Sequence, residues 1–168
     1  MSDRSAAVID IGGHLDTIEK FNALVEAIDG EAGTDWESLD DADRIAAALI
    51  HAAKEGATAT FMDNQATGGH FPTIEGACEK LGLSFKRADD GHYAYSPINV
   101  AYRPEFGEFS TAGTIEDGPS ICLETLVRWR DAGELDAKIN TLVAAFDTPP
   151  LTIAPEVLAQ LNAKTEAR

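Results

Sequence analysis

The chain has little of several things that would disclose a function. Cysteine is limited to Cys78 and Cys122, far apart and with no second thiol near either, which excludes a disulfide framework and a thiolate zinc cluster. Both lie among apolar residues, with Glu75, Glu79 and Glu124 close in sequence, so both are expected to be inert small hydrophobes in or near the core. No apolar run approaches the roughly 18 to 20 residues of a membrane span. Met1 to Ser5 lacks the basic start and long apolar stretch of a signal peptide, and a cytoplasmic location is expected. Basic charge is scarce as well: 13 Lys and Arg against 29 Asp and Glu give a formal charge of −16, which disfavours nucleic acid and anionic lipid as direct partners and points to a basic or neutral one. Finally, G-x-S-x-G, H-E-x-x-H, C-x-x-C, phosphate-loop and dinucleotide patterns are all missing. Covalent hydrolysis, zinc peptidase chemistry, thiol redox and nucleotide binding therefore lack positive support, and no cofactor is expected.

What is present describes a globular chain. Its 168 residues, 44% hydrophobic and 25% charged, suffice for one core and are too few for two full-sized domains. Residues 1–147 are expected to form a single α/β domain and residues 148–168 a C-terminal tail whose short amphipathic piece (Val157, Leu158, Leu161) either docks or frays.

The most conspicuous pattern is a repeat. Gly12-Gly13-His14-Leu15-Asp16-Thr17-Ile18-Glu19 returns as Gly68-Gly69-His70-Phe71-Pro72-Thr73-Ile74-Glu75, with six residues kept in register. Each copy follows an apolar, strand-like run (6–11 and 57–62) and precedes a helical pattern, so the repeat reads as strand, abrupt glycine turn and helix start, used twice. Thr17 and Thr73 are placed as helix caps, and Pro72 suits a first helical turn.

Apolar residues at intervals of three and four predict a helix through Ile18, Phe21, Leu24, Val25 and Ile28, stopped at Gly30, and another through Ile45, Leu49, Ile50 and Ala53, capped by Asp40 or Asp41. A third runs through Ile74, Ala77, Cys78 and Leu81 to a stop at Gly82. A short edge strand over 34–38 would point Trp36 inward. After Gly82 the period falls to two: Leu83, Phe85 and Arg87 alternate, Asp89-Asp90-Gly91 turns, Tyr93 and Tyr95 share a face of the next strand, and Val100 and Tyr102 extend it. Residues 105–119, glycine-rich and without period, read as a long loop. Ser120 caps a last helical region with faces Leu123-Leu126-Val127 and Leu135-Ile139-Leu142-Val143-Phe146. The fold class that accommodates this order is α/β (α+β): a two-layer sandwich, a mixed sheet of about four to five strands with helices on one face, on a split βαβ or ferredoxin-like plan with an internal duplication and extra C-terminal helices.

Two sites are ranked. Asp29, Glu31, Asp35, Glu37, Asp40, Asp41 and Asp43 form an acidic stretch with no basic residue among them, suited to a basic protein partner; the plain alternative is a solvated face whose last acids favour the start of the next helix. The glycine pairs Gly12, Gly13, Gly68 and Gly69 offer backbone N–H groups to an anion, and if the strands are parallel neighbours, His14, His70, Asp10, Asp63 and Asn64 converge as ligands or an acid–base pair. If the strands are antiparallel, the motifs part. The aromatic and basic residues from Lys86 to Arg103 are read as strand packing, and Trp129 as a half-buried residue. The leading expectation is a non-enzymatic protein-interaction module binding through the acidic face or the 105–119 loop; the alternative is a small-molecule or metal-dependent activity at the paired Gly-Gly-His loops.

Overall fold

A computed structural model describes residues 4–31 and 42–166, with side chains to residue 163. The expected strand around Trp36 and the caps Asp40 and Asp41 lie outside the described residues.

β1 (Arg4–Leu15) is the organising strand. Its Ala7, Ile9 and Ile11 are fully buried while Val8 and Asp10 between them are partly exposed, the period-two signature of a strand covered on one face. β2 (Ala59–Thr67) and β3 (Ser84–Asp89) flank it, both antiparallel, and β4 (Ile98–Arg103) and β5 (Gly107–Ala112) continue the sheet outward in the order β2-β1-β3-β4-β5. A sixth strand, β6 (Leu151–Ile153), pairs parallel with Gly13–Leu15 and makes the sheet mixed. β2 and β3, joined through α3 (Pro72–Leu81) with β1 between them, form the split βαβ unit.

α1 (Ile18–Glu31), α2 (Ala42–Glu55) and α3 cover the face that carries Ile9, Phe61 and Phe85. Phe21, Leu24, Val25 and Ile28 of α1, Ile45, Leu49 and Ala52 of α2, and Ile74 and Cys78 of α3 are buried in one core with them. Thr17 caps α1 as expected: its hydroxyl accepts the Lys20 N–H at 3.2 Å. α4 (Leu123–Asp131) and α5 (Leu135–Phe146) form a helical hairpin that meets the sheet at β4, and α6 (Pro155–Glu166) closes the chain. The segment after residue 147 docks on the body: Leu151, Ile153 and Val157 join the core.

The fold does not confirm the duplication, although each motif links a strand to a helix. The second glycine pair turns the chain, with φ of +63° at Gly68 and +68° at Gly69; in the first pair Gly13 also has a positive φ, +117°, but the chain stays in the strand there. Gly12 and Gly13 lie inside β1, which continues through them to Leu15. A methyl group on Gly12 would sit 1.7 Å from the Pro149 carbonyl oxygen, and Gly13 donates its N–H to Pro150 O at 3.2 Å. Glycine here makes room for the segment that leads into β6. Thr73, expected to match Thr17 as a cap, is inside α3 instead.

Two other expectations change. Tyr93 and Tyr95 lie in the β3–β4 connection, closed by an isolated His92–Tyr95 pairing, and Tyr95 donates its hydroxyl to Ser5 Oγ at 2.9 Å. Residues 105–119 contain β5, an edge strand half-exposed along its length, which is why no apolar alternation marked it.

Candidate functional site

Antiparallel pairing of β1 and β2 decides the fate of the paired loops. Ile11 stands opposite Ala59 and Arg4 opposite Thr67, so Gly12-Gly13-His14 leaves one end of the β1–β2 ladder and Gly68-Gly69-His70 the other. At about 3.3 Å per residue, the ladder between those ends is on the order of 23 Å long, several times the span of one metal site. Asp10 and Asp63 diverge as well. Asp10 is on the open face of the sheet, where it accepts the Thr60 hydroxyl at 2.6 Å and lies 3.3 Å from Lys86 Nζ. Asp63 is buried opposite Ala7 and accepts the Gln65 N–H at 2.8 Å, while Asn64 is exposed. Among the described residues no group of three His, Cys, Asp or Glu side chains could hold a metal ion. His14 has a local partner, Thr152 Oγ1 at 2.9 Å. Because Thr152 also donates to Gly13 O at 3.2 Å, the imidazole Nδ1 is the donor to the threonine oxygen. That contact ties β6 to β1.

The Gly68-Gly69 turn rests on a buried ionic cluster. Arg87, on the helix-covered face of β3 and only 2% exposed, donates from Nη1 to Gly69 O at 2.7 Å and to Asp89 Oδ2 at 3.0 Å. Its Nε lies 2.9 Å from Glu75 Oε1, an ion pair without the alignment of a hydrogen bond. Glu75 Oε1 also accepts the Phe71 N–H at 2.9 Å, and Asp89 Oδ1 accepts that of Gly91 at 2.8 Å. A methyl group on Gly69 would stand 2.7 Å from Asp89 Cβ. One guanidinium serves two carboxylates, and each of the three groups also bonds to or accepts from backbone, the arrangement of a structural pin.

The acidic stretch divides. Asp35, Glu37, Asp40 and Asp41 lie outside the described residues. Asp29 and Asp43 are exposed. Glu31 has a structural role: its carboxylate accepts the backbone N–H groups of Thr73 and Ile74, which caps α3 from the end of α1.

The two thiols differ. Cys78 is buried, and loss of solvation, reinforced by Glu75 and Glu79, pushes its thiol up to about 12. Cys122, contrary to its expected burial, is exposed at the N-cap of α4, where hydrogen bonding from Thr125 lowers the thiol below its ordinary value. Its sulfur is 3.1 Å from Thr125 Oγ1. Two shallow depressions, one between α1 and α3 (Ala23, Ala27, Ala77) and one beside β2 (His51, Glu55, Thr58), take in none of the Gly-Gly-His residues.

A surface that the sequence marked only as two apolar helical faces stands out. α4 buries none of its residues, and α5 buries only Ala145. Leu123 is 74% exposed and Val143 65%, with Ile139 also in solvent. Trp129 is half-buried. Arg103 joins this hairpin to the β4–β5 turn: Nη1 donates to Ala144 O at 3.0 Å and Asp147 O at 2.9 Å, which places a cation at the C-terminus of α5, and the guanidinium lies 5.6 Å from the centre of the exposed Phe106 ring. Its periodicity in the sequence was the signal, but periodicity reveals a face to be covered and not what covers it.

Comparison with protein-family models, with curated proteins and with solved structures finds no match for this chain. Among the described residues, no helix is long and apolar enough to cross a membrane.

Proposed function

We propose that this protein is a protein-interaction module whose recognition surface is the α4–α5 hairpin with the adjoining β4–β5 turn. The observation that carries the reading is the exposure of Leu123, Ile139, Val143 and Phe106 on elements that bury almost nothing of their own. A nine-residue helix is far below the roughly 12 to 15 residues at which an isolated helix becomes even marginal in water, so α4 depends on packing against something. Large apolar side chains left exposed on a helical pair are a mark of a protein-binding face. The charge of −16 favours a partner whose contacting surface is neutral or basic. The acidic stretch is the competing surface, and Glu31 within it is already engaged.

A photo-crosslinking residue placed at Val143, and separately at Asp29 on the acidic side, tests the reading in extract from the source cells. Discrete adducts at position 143 that persist in high salt are expected. Adducts at position 29 alone, lost in high salt, would transfer the function to the acidic surface.

A further inference from the structure

We infer that the partner of the α4–α5 face is a second copy of this chain, docked antiparallel about a two-fold axis that sets α4 against α4. This rests on the proposed use of the hairpin for recognition and adds the identity of the partner. Three observations carry it. The first is the local charge. Between Ser120 and Phe146 the chain has four acidic and three basic side chains, a net of −1 against −16 for the whole, so this is a stretch through which two copies approach with little repulsion.

The second is the order of charge along α4. Glu124 stands in its first turn and Arg128 in its last. One turn apart, they share a flank of the helix beside the stripe of Leu123 and Val127. Neither forms an ion pair within the chain among the described residues. Residues on the same flank meet in antiparallel packing, and a two-fold axis near the middle of α4 brings Glu124 of each copy opposite Arg128 of the other. Parallel packing would set Glu124 against Glu124 and Arg128 against Arg128. A self-complementary surface of this kind is what an isologous contact requires.

The third is size. α5 is about 18 Å long at 1.5 Å per residue, and two adjacent helices are roughly 20 Å across. Such a face measures about 360 Å², so pairing two covers on the order of 700 Å² in total, below the roughly 1,200 Å² of a stable interface, which implies a weak, reversible dimer rather than an obligate one.

Sedimentation of the purified full chain over a concentration series tests the inference. A shift from monomer to dimer mass is expected as concentration rises through the micromolar range, and Val143→Glu should leave monomer throughout. Glu124→Arg and Arg128→Glu should each weaken the dimer at least tenfold, and the two changes together should restore it. Circular dichroism of each variant checks that the overall helical content is unchanged, and Asp29→Lys, on α1, should leave the dimer intact. A wild-type chain that stays monomeric, or a dimer indifferent to Val143→Glu, overturns the inference; a dimer that the double exchange fails to restore overturns the antiparallel arrangement. If the purified chain is monomeric while position 143 still captures a different protein, the interaction reading stands and only self-association fails. If neither occurs, both fail.

Discussion

The Glu31 carboxylate, at the last residue of α1, accepts the backbone N–H of Ile74 at 3.1 Å and so closes the first turn of α3 from another helix. α3 has no cap of its own, because Phe71 occupies the N-cap position and makes no side-chain cap bond. Replacing Glu31 by Ala should therefore cost about 1 kcal/mol, typical of a lost cap, while Glu31→Gln, which keeps an acceptor but no charge, should cost less. Urea unfolding of both variants measures the difference. Equal stability of Glu31→Ala and wild type would show that the cap is not formed in solution.

Adjacent residues of β3 should behave in opposite ways. Arg87 is sealed between Glu75, Asp89 and the Gly69 carbonyl, so Arg87→Met leaves the buried Asp89 carboxylate and the partly buried Glu75 without a counter-charge and should destabilise by about 3 kcal/mol or more. Lys86 faces the open side of the sheet, with Asp10 at 3.3 Å in contact with solvent, and Lys86→Met should change stability by less than about 1 kcal/mol. Denaturant midpoints for the pair check this. Similar losses would mean that Arg87 is hydrated in solution.

The sequence was most legible where one element carries its own reason. The spacing of Phe21, Leu24, Val25 and Ile28, or of Ile45 and Leu49, states a buried helical face without reference to anything distant. Even Arg87 was readable as sharing a strand face with Phe85 by their alternation. Its partners were not readable, because Glu75 comes from a helix and Gly69 from a turn. Gly12 misled for the same reason. Its cause is the Pro149 carbonyl, more than a hundred residues away, and locally a glycine that admits another backbone looks the same as one that turns its own. The acidic stretch was read as a unit from composition, whereas the fold gives Glu31 a separate task. The α4–α5 stripes were recognised as apolar faces, but the period of a face does not say whether its cover lies in the same chain.

Two glycines that look alike in sequence should respond with opposite sign to alanine. Gly12→Ala forces its methyl group against the Pro149 carbonyl and should cost about 1–3 kcal/mol, with loss of protection from hydrogen exchange concentrated at Gly13 and Leu151–Ile153. Gly76, within α3, has nothing within 4 Å of the added atom, and Gly76→Ala should stabilise by roughly 0.5–1 kcal/mol through helix propensity. Thermal unfolding distinguishes the two. A neutral Gly12→Ala would mean that β6 is not docked across β1.

The two thiols should separate by both reactivity and linkage. Cys122 is exposed and its thiol is lowered by the hydrogen bond from Thr125, so one equivalent of iodoacetamide should react with the native protein at that residue, more slowly once Thr125→Val removes the bond. Cys78 should react only on unfolding. Its thiol titrates at about 12 in the folded chain against 9.0 for the free group, so the folded state holds the proton that the unfolded state loses first. The stability contributed by the neutral thiol is thus complete below pH 9 and is lost as the pH rises toward 12, at up to about 1.4 kcal/mol per pH unit. Other groups titrate in that range, and Cys78→Val isolates the effect by keeping the volume and removing the proton. The difference in unfolding free energy between wild type and Cys78→Val should be constant from pH 7 to 8.5 and then shift steadily against wild type. A difference that stays flat to pH 11 would show that the thiolate is tolerated in the core and that the Cys78 environment admits water.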